Sequence, residues 1–322
     1  MERILDTYLR IKLAGNETIG ANQHAYQAGK STESALHCVI SRIEACINTR
    51  QFCLGIFFDV EGAFDHTSPQ CIERSLFRLG VEHTVRRWIT TVLKHLKLGG
   101  NCKTYKVSRG CPQGGVLSPL LWTMVVSDLI ATLREAGFYV QFYADDGVIL
   151  VWSKDLAQCV NCMQYAVHIV ERWCTNNELA VNPLKTALIL FTRRRAPLAV
   201  CNLTFYNQPL RLVNEVKFLG VILDSKLLWR NHVNFVCRKA TRLLMCSRRI
   251  IGKSWGLSPK VTLWIYTAII RPILTYAAVV WWHRSKLKTC RALLDRVQRL
   301  ACLCITGSMR TAPTRAMEIL LG

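Results

Sequence analysis

Residues 138–152 read Phe-Tyr-Val-Gln-Phe-Tyr-Ala-Asp-Asp-Gly-Val-Ile-Leu-Val-Trp. Two strand-like runs, 138–143 and 148–152, lie on either side of the central Ala-Asp-Asp-Gly. Asp-Gly between apolar runs is among the strongest short signals for a β-hairpin. The stretch therefore predicts a hairpin that carries two adjacent carboxylates, Asp145 and Asp146, at its tip.

A third carboxylate is predicted at the end of another strand. Residues 52–58 form a short apolar run that ends at Asp59, which suits a buried strand. Three neighbouring carboxylates would shift one another's pKa, and a pair of divalent cations would remove that conflict. Magnesium prefers oxygen ligands, and two such ions about 4 Å apart can activate a hydroxyl and stabilise a leaving pyrophosphate. Taken alone, each acid is better explained as an ordinary turn or strand-end residue.

The remaining sequence predicts a mixed α and β chain. Helices are predicted at 1–50 (with breaks at 15–20 and 27–29), 68–79, 83–97, 118–136 and 155–175. Short strands are predicted at 102–108, 187–191, 203–206 and 216–222. Thr32 is a suitable N-cap for a helix that begins at Glu33. After about residue 225 the pattern becomes helical and more basic, which predicts a domain boundary there.

The charge of the chain points to a polyanionic partner. Its 322 residues include 42 Lys and Arg against 21 Asp and Glu, a formal charge of +21. Nucleic acid is the commonest partner of so basic a surface. A membrane surface would require a lipid anchor or a basic amphipathic helix, and neither pattern is found. Arg271-Pro272 divides the apolar stretch 261–282 into halves too short for a membrane span, so buried helices with a break there are predicted.

Several other patterns have simpler explanations. The 15 scattered cysteines and the lack of a signal segment indicate free thiols in a reducing compartment, not a secreted protein. Residues 29–32 resemble the end of a P-loop, but His24 replaces its first glycine. The arginines at 193–195 suit a basic loop tip, with a nuclear localisation signal as the alternative. A zinc knuckle is rejected because its spacings do not match the set Cys159, Cys162, His168 and Cys174.

Five segments resemble the motifs of reverse transcriptases from non-LTR (LINE-type) retrotransposons, especially jockey-like elements. In order along the chain they are FDVEGAFD at 58–65, RGCPQGGVLSP at 109–119, FYADD at 142–146, NPLKT at 182–186 and KFLGV at 217–221. Five motifs in the family's order are far more specific than any one of them. The resemblance runs over nearly the whole chain.

The resemblance implies a fold and an activity. The expected fold is α+β, a right-hand polymerase with fingers, a ferredoxin-like palm (a small antiparallel sheet plus helices) and a helical thumb. Residues 1–224 are expected to form the palm and N-terminally incomplete fingers, and residues 225–322 the thumb and a C-terminal connection. The expected reaction is RNA-directed addition of deoxynucleotides to a primer 3′ end. The alternatives are a truncated, inactive relic that only binds nucleic acid and, within the same class, a maturase-like or telomerase-like polymerase.

The resemblance also assigns roles around the carboxylates. Asp59, Asp145 and Asp146 are expected to hold two Mg²⁺ ions, with Mn²⁺ as an alternative and the backbone carbonyl of Val60 as a further ligand. Lys185 is expected to protonate the pyrophosphate, or else to be a solvated surface lysine. The residues expected to contact nucleotide and template are Phe64, which would exclude a 2′-hydroxyl, Arg109, Gln113 and Gly114. For Phe64 a core aromatic remains the alternative.

Primer and duplex contacts are implied further along the chain. The expected primer grip is Phe218, Leu219 and Gly220, with a plain buried strand as the alternative. Thumb helices would bring basic residues to the duplex backbone, namely Arg238, Lys239, Arg242, Arg248, Arg249 and Lys253. Expected partners are an RNA template, a DNA primer or target and dNTPs, without a membrane, together with endonuclease and gag-type domains missing from this chain. The expected location is the nucleus, with cytoplasmic assembly as the alternative.

Overall fold

The computed structural model describes residues 1–14, 20, 22–98, 103–106, 109–112, 114–194, 202–248 and 257–321. The chain divides into two compact units, one that ends at Val216 and one that begins at Lys217. The sequence pattern had placed a boundary after residue 224. The first unit contains the main sheet, and the second is mostly helical.

The first unit contains helices on both faces of one sheet. Its helices are α1 (Glu2–Leu13), α2 (Thr32–Asn48), α3 (Ala63–His66), α4 (Pro69–Arg78), α5 (His83–Lys94), α6 (Ser118–Glu135) and α7 (Leu156–Asn177). Its strands are β1 (Phe52–Glu61), β2 (His95–Leu98), β3 (Lys103–Lys106), β4 (Tyr139–Tyr143), β5 (Asp146–Ser153), β6 (Ala180–Val181), β7 (Ala187–Phe191), β8 (Thr204–Phe205), β9 (Gln208–Pro209) and β10 (Leu212–Val213).

The main sheet has six strands with β1 near its centre. The strand order is β10-β7-β1-β5-β4, and β6 pairs separately with the end of β1. Only the β10–β7 pairing among these is parallel. In the β1–β5 register Phe58 lies opposite Gly147 and Asp59 opposite Asp146. A side chain at Gly147 would lie 2.7 Å from the Phe58 ring, so glycine is required where these strands approach.

Both faces of the sheet are buried, which explains the continuous apolar runs in the sequence. Successive side chains of a strand point to opposite faces. Leu54, Ile56 and Phe58 belong to the large hydrophobic core, to which α6 and α7 also contribute. Cys53 points the other way and contacts Cys46 of α2. Helix α2 therefore covers the second face of the sheet.

Several predicted boundaries were wrong in the first unit. β1 continues past Asp59 to Glu61 because its last two residues pair with β6. Asp146 likewise lies in β5 and not in the turn. Ser31 caps α2 through a capping box with Ser34, so the helix begins one residue before the predicted start at Glu33. The helix predicted to reach residue 97 ends at Lys94, where β2 follows.

The second unit is mostly helical. Strand β11 (Glu215–Phe218) crosses the division and is followed by β12 (Val221–Asp224). The helices are α8 (Arg230–Arg248), α9 (Pro259–Ile265), a π-helix (Tyr266–Ile270), α10 (Arg271–Thr275), α11 (Ala278–Trp281), a 3₁₀ helix (Trp282–Lys286), α12 (Lys288–Thr306) and α13 (Thr314–Leu321). The single strand predicted at 216–222 was wrong, because Leu219 and Gly220 have φ values of +44° and +80° and form a turn.

The predicted helix break at Arg271-Pro272 was also wrong. The π-helix leads directly into α10, where Pro272 occupies the first turn and its missing N–H is tolerated. The chain breaks instead at Ala277, which has a φ of +53°. The burial predicted for residues 261–282 is only partial, since Trp264 is 63% exposed. No single helix among the described residues meets the length and hydropathy of a membrane span, although the pair Pro259–Thr275 and Ala278–Lys286 does so across a 48° bend.

Candidate active site

Strand pairing brings the three predicted carboxylates together. Asp59 of β1 lies directly opposite Asp146 of β5. Residues paired in this way have Cβ atoms about 5 Å apart. The backbone N–H of Val60 donates to the carbonyl of Asp145 at 3.3 Å, which fixes the third acid beside the other two. The cluster thus depends on the register of one antiparallel pair.

The carboxylates disturb one another's ionisation. Burial, followed by the charges of Asp145 and Asp59, raises the pKa of Asp146 to about 6. Burial and then the Asp145 carboxylate raise the pKa of Asp59, and the Lys185 ammonium opposes that rise. Oδ1 of Asp59 is buried without a hydrogen-bond partner. The site therefore holds more negative charge than its own side chains neutralise.

This donor set fits a divalent cation. Carboxylate oxygens are the ligands that Mg²⁺ prefers, and the unpartnered Asp59 oxygen is available to coordinate. Within the described parts of the chain, no three His, Cys, Asp or Glu side chains form a ready-made metal cage. Mg²⁺ usually keeps several waters and substrate phosphates and takes only one or two carboxylates. The carboxylate oxygens therefore match the ligand preference of Mg²⁺.

The turn that presents Asp145 is held by a buried glutamine. Ala144 has a φ of +57°, a conformation that non-glycine residues adopt at a cost. Its N–H donates to Oε1 of Gln23 at 3.0 Å. Its carbonyl accepts from Nε2 of Gln23 at 3.1 Å and from Nε1 of Trp122 at 2.9 Å. Both polar groups of the residue before Asp145 are therefore fixed by side chains distant in sequence.

The segment that carries Gln23 is itself attached to β4. The N–H of Phe142 donates to the carbonyl of Asn22 at 2.7 Å, and that of His24 to the carbonyl of Phe142 at 2.9 Å. Gln23 is 1% exposed, and its Oε1 also accepts from the N–H of Ala25 at 3.0 Å. Sequence reasoning missed Gln23 and Trp122. Neither lies in a motif with chemical meaning, and only the tertiary contact reveals their role.

Lys185 lies at the edge of the carboxylate cluster. Pairing of β6 with the end of β1 brings the following turn close to Asp59. Nζ of Lys185 is 3.7 Å from Oε1 of Glu61, which also accepts from Nδ2 of Asn182 at 2.9 Å. Val60, which is expected to supply a carbonyl ligand, lies between Asp59 and Glu61 in sequence and is 1% exposed.

Phe64 packs against two aromatic residues and is half-buried. Its ring meets Tyr26 edge-on with centroids 6.5 Å apart and Trp122 at 6.2 Å. Burial, followed by the Asp145 charge, raises the pKa of Tyr26, so this tyrosine lies near both Phe64 and the acids. An aromatic wall therefore borders the carboxylate cluster.

The loop expected to contact the template docks against the Phe64 segment. The N–H of Cys111 donates to the carbonyl of Phe64 at 2.6 Å. A side chain on Gly110 would lie 3.1 Å from the carbonyl of Asp65, so the backbones approach closely. Arg109 is exposed and forms an ion pair with Glu178 at 2.8 Å. Gly114 has a φ of +84° with open space around it, and Gln113 lies outside the described residues.

The remaining predicted residues belong to the second unit. Leu219 and Gly220 form the turn between β11 and β12, and the Leu219 carbonyl accepts from the Tyr276 hydroxyl at 2.9 Å. Phe218 is buried. The predicted thumb residues within α8 are all exposed, namely Arg238, Lys239, Arg242 and Arg248. Arg249 and Lys253 lie outside the described residues.

Comparison with known families identifies the class of the chain. Residues 1–223 match the family described as reverse transcriptase (RNA-dependent DNA polymerase). The chain belongs to the reverse transcriptase family.

Two relatives show which reverse transcriptases the chain resembles. The Pol polyprotein of the type-1 retrotransposable element R1 from Bradysia coprophila is 28% identical, with 100% of this chain and 32% of that protein covered. The RNA-directed DNA polymerase of the mobile element jockey from Drosophila melanogaster is 24% identical, with 89% and 32% covered. The predicted resemblance to non-LTR, jockey-like reverse transcriptases is confirmed. The chain spans about a third of the length of these relatives.

A solved structure supports the fold. The telomerase of Candida albicans, determined with a fragment of telomeric RNA, superposes with a TM-score of 0.51 at 14% identity. The match covers 98% of this chain and 56% of the telomerase chain. A likeness at this identity concerns the fold alone. The chain thus has a polymerase fold of the reverse transcriptase and telomerase type, with mixed helices and sheets.

The raised pKa of Asp146 predicts how stability changes with pH in the absence of divalent cations. The folded protein keeps a proton on Asp146 up to about pH 6, whereas the ordinary pKa is 3.8. Within this range the folded state binds more protons, so the free energy of unfolding should fall as pH rises. In Asp146→Asn the free energy of unfolding should fall less steeply with pH. At pH 7 it should exceed that of the wild type by on the order of 2 kcal/mol.

Urea unfolding in EDTA at a series of pH values measures this effect. Asp295→Asn is a matched control, because Asp295 is an exposed carboxylate on α12. The control should keep the wild-type slope. Equal slopes for Asp146→Asn and the wild type would contradict the assigned burial and repulsion.

The contacts of Gln23 predict a structural cost for its removal. Gln23→Leu keeps the volume but leaves the N–H groups of Ala144 and Ala25 without their acceptor. The free energy of unfolding should fall by on the order of 2–4 kcal/mol. Hydrogen exchange at the Ala144 amide should also become faster. Gln70→Leu, at an exposed position of α4, is the control and should leave both measurements unchanged. A similar response of the two variants would contradict the role of Gln23 in holding the Ala144 turn.

Proposed function

We propose that this chain is the polymerase part of a non-LTR retrotransposon reverse transcriptase, which adds deoxynucleotides to a primer 3′ end on an RNA template. The observation that carries the proposal is the carboxylate cluster at the β1–β5 pair, with a buried Asp59 oxygen that has no partner. The cluster lies within the residues that match the reverse transcriptase family. A cluster of this kind is what nucleotidyl transfer requires.

In this proposal Asp59, Asp145 and Asp146 hold two divalent cations, Mg²⁺ or Mn²⁺, together with the Val60 carbonyl. When bound, such ions would lower the pKa of the primer hydroxyl and stabilise charge on the leaving pyrophosphate. The protein's own part is positional: β1 and β5 fix Asp59 and Asp146, and the Gln23 contacts fix the turn before Asp145. Lys185, with its ammonium 3.7 Å from Glu61, gives a proton to the pyrophosphate.

The incoming nucleotide lies against Phe64 in the same proposal. Tyr26 and Trp122 limit the movement of the Phe64 ring, so it presents a firm edge to the sugar. A 2′-hydroxyl distinguishes RNA precursors from DNA precursors, and such an edge would collide with it. Arg109, Gln113 and Gly114 contact the template and nucleotide from the loop that docks on this segment. Gly114, with open space around its Cα, leaves room for that approach.

The two units take different parts of the reaction. The first unit supplies fingers and palm, and the second supplies a helical thumb. The turn of Phe218, Leu219 and Gly220 holds the primer end, and the Tyr276 hydrogen bond supports it. Arg238, Lys239 and Arg242 are exposed on α8 and bind the duplex backbone. The partners are an RNA template, a DNA primer and dNTPs.

Primer extension tests the proposal. With an RNA template, a DNA primer, dNTPs and Mg²⁺, the wild type should extend the primer, because its carboxylates can hold the metal. Asp145→Ala should reduce extension to background and keep its affinity for the template–primer within about twofold, since only one side chain near the nucleic acid changes. Asp295→Ala, the removal of an exposed carboxylate on α12, should extend like the wild type.

The assay also separates the enzyme from the alternative. Binding of RNA by the wild type without any extension, in Mg²⁺ and in Mn²⁺, would identify a protein that only binds nucleic acid. Equal extension by Asp145→Ala and the wild type would contradict the assignment of the catalytic acids.

A further inference from the structure

A second charged site lies at the opposite end of β1 from the carboxylates. Phe52 begins β1 and pairs with Ser153, whereas Asp59 pairs with Asp146 near the other end. At about 3.3 Å per residue, the seven steps from Phe52 to Asp59 span about 23 Å. An open pocket is found at the Phe52 end. It is therefore separate from the proposed polymerase centre.

Three connections of the chain converge on this pocket. The turn after α2 supplies Arg50, the turn between β5 and α7 supplies Lys154, and the end of β7 supplies Arg193 and Arg194. All four side chains belong to exposed residues. The rest of the lining is neutral, from residues 47–49 and Gln51. The pocket thus gathers four cations on a concave surface.

These cations have no acidic partners among the described residues. Other arginines of the first unit have acidic partners: Arg10 pairs with Asp6, and Arg109 pairs with Glu178. Asp155, next to Lys154 in sequence, is used as the N-cap of α7 and accepts the N–H of Ala157 at 3.1 Å. Like charges gathered without counter-charges repel one another unless an external anion binds. The pocket consequently has the electrostatics of an anion site.

Arg194 gives the pocket a fixed shape. Its guanidinium carbon lies 4.7 Å from the centre of the Phe52 ring. Its Nη1 donates to the carbonyls of Arg50 and Lys154, each at 3.4 Å. Arg194 thereby links the three connections, and Arg50, Lys154 and Arg193 are exposed residues. The backbones that carry the other three cations are thereby held together, which lowers the conformational entropy lost on binding.

We propose that this pocket binds the phosphodiester backbone of a nucleic acid, at a second site remote from the polymerase centre. The pocket is open, so a continuous strand can pass through it, and three free cations match several phosphates in succession. The net charge of +21 favours the same class of ligand. The proposal requires only binding, so it stands whether or not the chain polymerises. Its role would be to hold a nucleic acid while another part lies at the carboxylates.

A triple variant tests the site. Arg50→Gln, Lys154→Gln and Arg193→Gln together remove three charges and leave Arg194, which holds the connections. The matched control removes three isolated exposed arginines of the same unit, with Arg134→Gln, Arg172→Gln and Arg211→Gln. Both variants lose the same net charge, so a general charge effect cancels between them. Thermal unfolding of both verifies that each is folded.

Binding is measured with single-stranded RNA and DNA 20-mers of one sequence, in EDTA without nucleotides, over a series of salt concentrations. The pocket variant should bind about tenfold more weakly than the control, and its log–log salt slope should be smaller by about 2, since each phosphate contact on a single strand contributes about 0.7. If the pocket variant loses affinity for both 20-mers, the site recognises the phosphodiester chain that they share. If it loses affinity for RNA alone, the site is specific for RNA. Either result supports the proposal. Equal affinities and slopes for the two triple variants would overturn it.

Discussion

The repulsion between three carboxylates gathered where β1 pairs with β5 is the constraint on which the site depends. The register of β1 and β5 forces Asp59 and Asp146 to face each other, and the Val60 hydrogen bond adds Asp145. Burial, followed by the charges of the neighbouring carboxylates, raises the pKa of Asp146 and of Asp59. The fold must supply the stability that this arrangement costs. It does so with a sheet buried on both faces and with side chains that fix the turn.

The hydrogen bonds of Gln23 to Ala144 stabilise the turn that carries Asp145. Ala144 adopts a left-handed conformation just before Asp145, and both of its polar groups are bound by Gln23 and Trp122. Strained backbone at a functional site persists when its surroundings over-determine it. Gln23 reaches the turn from the segment before α2, so the first helices and the hairpin are mutually dependent. The turn at the carboxylate end of the sheet is thus held by hydrogen bonds from side chains distant in sequence.

Much of this site was predictable from the sequence, because its signals are local. The hairpin follows from Asp-Gly between apolar runs, and β7 was predicted at its observed bounds from a single apolar run. The β1–β6 pairing, the Gln23 contact and the turn at Leu219 were not predictable, since each depends on residues far apart in sequence or on a positive φ at a non-glycine residue. The continuous helix through Pro272 escaped prediction for a similar reason: a π-helix before it accommodates the proline.

Stabilisation by magnesium measures directly whether bound cations relieve the repulsion among the carboxylates. If repulsion among the carboxylates is relieved by bound cations, saturating Mg²⁺ should raise the free energy of unfolding of the wild type, by about 2.7 kcal/mol at 100 times the dissociation constant. Asp59→Asn should be at least as stable as the wild type in EDTA, and Mg²⁺ should add little to it. Stabilisation by Mg²⁺ of equal size in the wild type and in Asp59→Asn would contradict the account.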